Sequence, residues 1–125
     1  PYDENRQVIW RNTLQPYFAE LDSEVNLSLG STRVPFSHDI ADAIERFSPE
    51  FISFHFGLPN KDLLKRVKSW GTKVVSSATT LEEAIWLESQ GVHGIIAQGL
   101  EAGGHRGMFL TDKISTQLGL VSLVS

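Results

Sequence analysis

Four side chains capable of proton or hydrogen-bond chemistry fall within one stretch, Ala97-Gln98-Gly99-Leu100-Glu101-Ala102-Gly103-Gly104-His105-Arg106-Gly107. A neutral imidazole accepts a proton near physiological pH, and small changes in its surroundings move it either way. His105 follows two glycines, so nothing bulky on its N-terminal side screens the ring. That suits a base that must meet a substrate; a polar loop residue is the plainer alternative. The Gln98 amide both donates and accepts, which suits the carbonyls and ring nitrogens of a planar heterocyclic ligand, or the anchoring of a loop. Glu101 can orient the histidine or cap a local turn, and the turn is favoured. Arg106 is read as a surface cation before an anion site.

Four glycines stand between residues 99 and 107. Glycine is used where a backbone must take positive φ or come close to a ligand, and it costs entropy to order. The loop follows Gly94-Ile95-Ile96-Ala97, a short apolar run that reads as a buried strand. A glycine-rich loop at the carboxyl end of a strand is shaped around something.

The elements that position this loop follow from apolar spacing. Glu4 to about Leu21 reads as a helix with Val8, Ile9, Leu14, Tyr17, Phe18 and Leu21 as its stripe. Pro16 either bends it or starts a second helix. Val25 to Leu29 is a short strand or a loop, and Gly30, Ser31 and Pro35 mark a turn. Ser37 or Asp39 caps a helix whose inward residues are Ile40, Ala43, Ile44 and Phe47. A strand over Phe51–Phe56 is stopped by Gly57 and Pro59. Asn60 caps a helix with Leu63, Leu64 and Val67 inward and Gly71 at its end. Lys73–Ala78 is the second strand, and Thr80-Leu81-Glu82-Glu83 is a capping box. That helix ends at Gly91. Val92–Ala97 is the third strand, and Thr116–Val124 starts another helix.

From residue 51 onward strand and helix alternate, with strand starts about twenty residues apart. The strands are apolar runs, as expected where helices cover a parallel sheet. The class is α/β. Spacing alone leaves open a barrel or a doubly wound sheet; in both, ligands sit at the carboxyl ends of the strands. Two connections there are tight. The third, Gln98 to about Ser115, is long, and long loops in compact α/β units are usually functional.

The 125 residues carry a net charge of -4, 41% hydrophobic and 21% charged side chains, and no cysteine. This excludes a disulfide scaffold and thiolate metal sites, and fits a reducing, cytoplasmic setting. The lack of a basic cluster argues against nucleic acid as a partner. No apolar run reaches the ~18 residues of a membrane span. Pro1-Tyr2-Asp3 lacks an initiator methionine, and the apolar run Leu118–Ser125 has no stop signal. The chain is therefore expected to be a piece of a longer polypeptide.

Among the other histidines, His55 lies between phenylalanines and reads as a core residue, although it is close to a strand's carboxyl end. His38 is local to a helix start, and His93 is at the amino end of its strand. The four have no metal-ligand spacing, so no metal site is expected. No Walker loop or Gly-x-Gly-x-x-Gly follows a strand. Trp10, Trp70 and Trp86 read as packing residues.

Three segments together, Ser53-Phe54-His55-Phe56-Gly57-Leu58-Pro59, Ala78-Thr79-Thr80-Leu81-Glu82-Glu83-Ala84 and the glycine-histidine loop, resemble the nitronate monooxygenase family, formerly called 2-nitropropane dioxygenases. The resemblance is weakest before residue 35. It implies an FMN-dependent TIM barrel, of which residues 1–125 would be a central fragment of about three parallel β/α units after a helical segment. His105 matches the family's catalytic histidine, and Gln98 and Gly103 match positions that contact FMN. The implied reaction takes an alkyl nitronate and O2 to a carbonyl compound and nitrite, with His105 removing the α-proton of a neutral nitroalkane. The barrel's first strands and its phosphate-holding strand ends would lie outside residues 1–125, so this piece alone is expected to bind FMN poorly and to be inactive. An enoyl-acyl-carrier-protein reductase or NAD(P)H:quinone reductase of the same superfamily is the nearest rival. The former usually shows Glu where this chain has Gln98. A non-catalytic truncated product is the rival of a different class.

Overall fold

A computed structural model of the chain describes residues 3–22 and 34–125. They fall in two compact units, Pro1–Arg33 and Val34–Ser125. The region around Val25 to Leu29, read as strand or loop, and the Gly30-Ser31 turn lie outside the described residues.

The first unit contains α1, Glu4–Glu20, a single helix that runs through Pro16. Asp3 caps it by accepting from the N–H groups of Asn5 and Arg6. None of its residues is buried. The expected apolar stripe does not become a core face. Val8 and Ile9 of that stripe are adjacent and so stand ~100° apart around the helix, and all six of its residues are exposed or half-buried.

The second unit is built on three parallel strands in the order β1-β2-β3: β1 Phe51–Phe54, β2 Lys73–Ala78 and β3 Gly94–Ala97. Ser53 pairs with Val75, and Val75 with Gly94. Helix α2, His38–Glu45, precedes the sheet; α3, Lys61–Ser69, joins β1 to β2, and α4, Leu81–Ser89, joins β2 to β3. The caps fall where the sequence puts them. Ser37, rather than Asp39, accepts from Ile40 N–H, Asn60 from Leu63 N–H, and Thr80 from Glu83 N–H.

The core lies between the sheet and α3. Phe54 and Val74 meet Leu64 and Val67, with Phe36, Ile52, Leu58, Trp70 and Val92 around them. Each such fully buried side chain contributes about 1.5–3 kcal/mol. In α2 the inward residue is Ala41, not the expected set: Ile40, Ala43 and Phe47 are exposed and Ile44 is half-buried. The helix is oriented through polar groups instead. Arg66 of α3 donates to Asp42 and Glu45, and Trp70 Nε1 donates to Glu45.

Alternation along the strands then assigns the two faces. Val74 looks toward the helices, so Ser53 of β1, Val75 and Ser77 of β2, and Ile96 of β3 look the other way, onto a face that none of α2 to α4 covers. Both outer strands are shorter than expected. β1 stops at Phe54 because Phe56 and Gly57 both take positive φ, +61° and +88°. β3 begins at Gly94; His93 before it meets Val74 of β2 twice, its N–H donating to Val74 C=O at 2.7 Å and its Nδ1 accepting from Val74 N–H at 3.0 Å. After the loop, the expected C-terminal helix is divided into a 3-10 turn, Ile114–Thr116, and a five-residue helix α5, Leu120–Val124.

Candidate active site

The left-handed pair Phe56-Gly57 turns the chain sharply at the carboxyl tip of β1. Ser76 Oγ, fully buried on β2, donates toward the carbonyls of Phe54 and Gly57, both at 3.1 Å, and fixes the turn. Glycine is favoured at 57 on two counts. Its φ is left-handed, and a Cβ there would meet the Phe109 ring at 3.1 Å. The segment after the glycine-histidine loop therefore closes back against the turn that follows β1 by way of Phe109, whose ring also packs on the Trp86 ring of α4, 5.2 Å between centroids.

The loop leaves β3 in register, Gln98 N–H donating to Ala78 C=O at 2.8 Å. The Gln98 amide then bridges the loop to itself. Its Nε2 donates to His105 C=O at 2.9 Å, and its Oε1 accepts from Gly107 N–H at 2.7 Å. One Nε2 hydrogen is left for a ligand. Arg106 folds inward and donates to the carbonyls of Gly99 and Leu100, so its guanidinium serves the loop backbone. Glu101 accepts from Leu120 N–H, and its own amide and that of Leu120 hold its carboxyl below the usual carboxylate range. Gly99 sits beneath this contact. A Cβ there would collide with the Glu101 carboxylate and lie 2.5 Å from Leu120 N.

The central fastening is Glu83, which is fully buried. A capping box returns this carboxylate to the N–H of the cap, Thr80; here it reaches one residue earlier, to Thr79. It goes further. Oε2 accepts from the N–H and the hydroxyl of Thr79, each at 2.8 Å. Oε1 crosses to the loop and accepts from Phe109 N–H at 2.8 Å and Leu110 N–H at 3.3 Å. Burial pushes the carboxyl up, but the hydrogen bonds from Phe109, Thr79 and Leu110 outweigh it and leave the group below its ordinary value. No local pattern announces a partner 26 residues away, and sequence reasoning missed this role.

His105 is held at the strand tips by these ties, with its ring exposed. The nearest aromatic is Phe56, edge to face, with centroids 6.4 Å apart. Gly103 and Gly104 before it are bare: a Cβ at either would meet nothing within 4 Å. His55, read as a core residue, is exposed instead. β1 has already ended, and the contact with Ser77 puts the side chain on the uncovered face: His55 Nδ1 lies 3.1 Å from Ser77 Oγ. Gly107 arches over the same place, its Cβ direction 3.4 Å from Gln98 Oε1 and 3.5 Å from Ser77 Cβ. The structure thus brings His105, Gln98 and Gly103 to one rim and adds His55, Ser77 and Phe56. A separate cleft of about 520 Å³ is lined by Thr80, Leu81, Glu82, Leu110, Thr111, Thr116 and Leu118 and includes none of the rim residues.

The profile of the family described as nitronate monooxygenase matches residues 2–125. The chain belongs to the nitronate monooxygenase family. It is 36% identical over 124 residues to a nitronate monooxygenase of Pseudomonas aeruginosa, covering 98% of this chain and 35% of that protein. It is 38% identical over 117 residues to one of Paraburkholderia phytofirmans, covering 91% and 32%. The solved structure of a nitroalkane oxidase from Streptomyces ansochromogenes superposes with a TM-score of 0.74 at 30% identity, over 93% of this chain and 34% of that one. The chain spans about a third of the length of the curated relatives it matches. Its three parallel β/α units, after a helical segment, are part of a TIM barrel.

Proposed function

We propose that residues 1–125 are the central part of one FMN-binding TIM-barrel domain that converts alkyl nitronates and O2 to carbonyl compounds and nitrite. The observation that carries this reading is the exposed His105 ring at the carboxyl tips of the strands, beside two glycines that leave open space. Ligands in this architecture bind at that end.

The residues present fit a flat flavin ring. Gly103 offers bare backbone, and Gln98 retains one Nε2 hydrogen for a ring carbonyl. FMN, when bound, supplies the redox chemistry and the reaction with O2. The protein orients the substrate and handles protons. With a neutral nitroalkane, a ring nitrogen of His105 takes the α-proton and yields the nitronate. A nitronate needs no such step. The barrel's remaining strands are required for tight FMN binding, so the 125-residue chain alone releases no nitrite.

The test is a chimera in which residues 2–125 replace the matching segment of the Pseudomonas aeruginosa relative. Purified chimera with a flavin absorption spectrum and nitrite release from nitronate supports the reading. A colourless protein, or flavin with NAD(P)H consumption and no nitrite, contradicts it; the second result is that of an enoyl-acyl-carrier-protein or quinone reductase.

A further inference from the structure

His55 is unused by the chemistry above, yet it is built into the same rim. β1 ends at Phe54, paired with Ser76, and the next residue, His55, reaches across to the side chain of Ser77, on the sheet face that the helices leave bare. Ser77 is almost fully buried, and its Oγ lies 3.1 Å from His55 Nδ1 while the imidazole itself is exposed. A hydroxyl on Nδ1 fixes the ring and leaves Nε2 as the nitrogen that can meet a ligand. With the Ser77 hydroxyl donating, the ring proton resides on Nε2, which becomes a hydrogen-bond donor. The next residue, Phe56, is held at a φ of +61°, and its ring stands perpendicular to that of His105, with centroids 6.4 Å apart. Non-glycine residues persist at such φ values where surrounding structure enforces them, and these positions cluster at ligand sites. Ser76 is the enforcing group here, through its contacts with the Phe54 and Gly57 carbonyls. Two exposed imidazoles therefore stand at the strand tips, His105 against the Phe56 ring and His55, the residue before Phe56, against Ser77.

We infer that His55, positioned by Ser77, is a second substrate-contacting residue that donates from Nε2 to the anionic nitro-group oxygens of the nitronate. The inference rests on the nitronate reading and divides the work of the two histidines. His105 handles the carbon-bound proton. His55 holds the oxygens, where the negative charge of a nitronate resides. A neutral nitroalkane carries less charge there and gains less from the contact.

The test is steady-state nitrite release by the flavin-loaded chimera with His55→Ala, His55→Gln and Ser77→Ala, on ethylnitronate and on nitroethane. A hydrogen bond to a charged oxygen corresponds to roughly a tenfold to hundredfold change in binding. His55→Ala is expected to raise KM for ethylnitronate by that factor, with kcat and flavin content unchanged and a smaller rise for nitroethane. His55→Gln keeps a donor and restores KM to within severalfold. Ser77→Ala gives an intermediate rise. Nitrite, which carries the same charged oxygens, inhibits the His55→Ala variant less well than the parent. An unchanged nitronate KM in His55→Ala overturns the inference, as does an equal loss on both substrates accompanied by flavin release. Parent chimera that holds flavin but makes no nitrite overturns the nitronate reading itself, a separate result.

Discussion

Replacing Glu83 by Gln keeps the shape of the side chain and removes one acceptor. In the parent, Oε2 takes two hydrogens from Thr79 and Oε1 takes the amide hydrogens of Phe109 and Leu110. A glutamine has one oxygen for both sides. Whichever pair it serves, its NH2 faces a backbone N–H on the other, and the Thr79 side is fully buried. A buried donor left unpaired costs about 1–3 kcal/mol, and bonds to a neutral oxygen are weaker than those to a carboxylate. The sum is about 2–4 kcal/mol, taken mainly from closure of the loop. Hydrogen exchange in the chimera reads this directly. Peptides spanning Phe109 and Leu110 are expected to exchange about thirtyfold faster or more, while the α3 and β2 core changes little. The acid response gives a second reading. The folded carboxyl is below its ordinary value, so its contribution is complete above the usual carboxylate range and is lost as pH falls through the folded value. The parent loses protection at Phe109 and Leu110 on acidification, and the Gln variant lacks the part of that loss due to Glu83, keeping only what Glu101 contributes at Leu120. Equal exchange at Phe109 in the two proteins, or an identical acid response, refutes the assignment of Glu83 as the fastening.

Other substitutions separate architecture from chemistry. His93→Ala leaves the amide of the fully buried Val74 without an acceptor and should cost about 1–3 kcal/mol in a urea titration, with nitronate kinetics unchanged because it lies at the far end of the strands. Gly99→Ala forces a Cβ against Leu120 N and the Glu101 carboxylate, so it should lower the unfolding midpoint. Gly103→Ala meets nothing in the chain, so it should leave the midpoint in place; reduced flavin content in that variant then reports ring contact. Phe56→Ala keeps the left-handed backbone and loses the ring, whereas Phe56→Gly removes about 1–2 kcal/mol of strain. The glycine variant should therefore be the more stable of the two by thermal melt.

The β/α units were legible because each of their signals is local. Asn60 and Thr80 meet amides three residues on, and the α3 stripe Leu63, Leu64, Val67 buries as its spacing dictates. The loop was legible through its glycines. What the spacing of residues could not convey was long-range. Glu83 obeys a local capping pattern, yet its carboxylate serves a segment distant in the chain. His55 looks like core among its phenylalanines; only the end of β1 and its pairing with β2 decide that it faces the open side. Gln98 could anchor the loop or meet a ligand, and its geometry leaves it doing the first while retaining one hydrogen for the second. Arg106 resembled a surface cation until the fold supplied two carbonyls for it. The α1 stripe is different: its spacing is only roughly helical, with Val8 and Ile9 adjacent, and none of its residues is buried.

The central claim is that the exposed His105 ring acts as a base toward carbon. It is tested most directly by nitrite release from the parent chimera and its His105→Asn variant, on nitroethane and on ethylnitronate in parallel. Loss of a positioned base lowers rates about 10²–10⁴-fold. The account predicts that loss on nitroethane alone, with flavin retained and ethylnitronate turnover within severalfold of the parent. Undiminished nitroethane turnover by His105→Asn would contradict it.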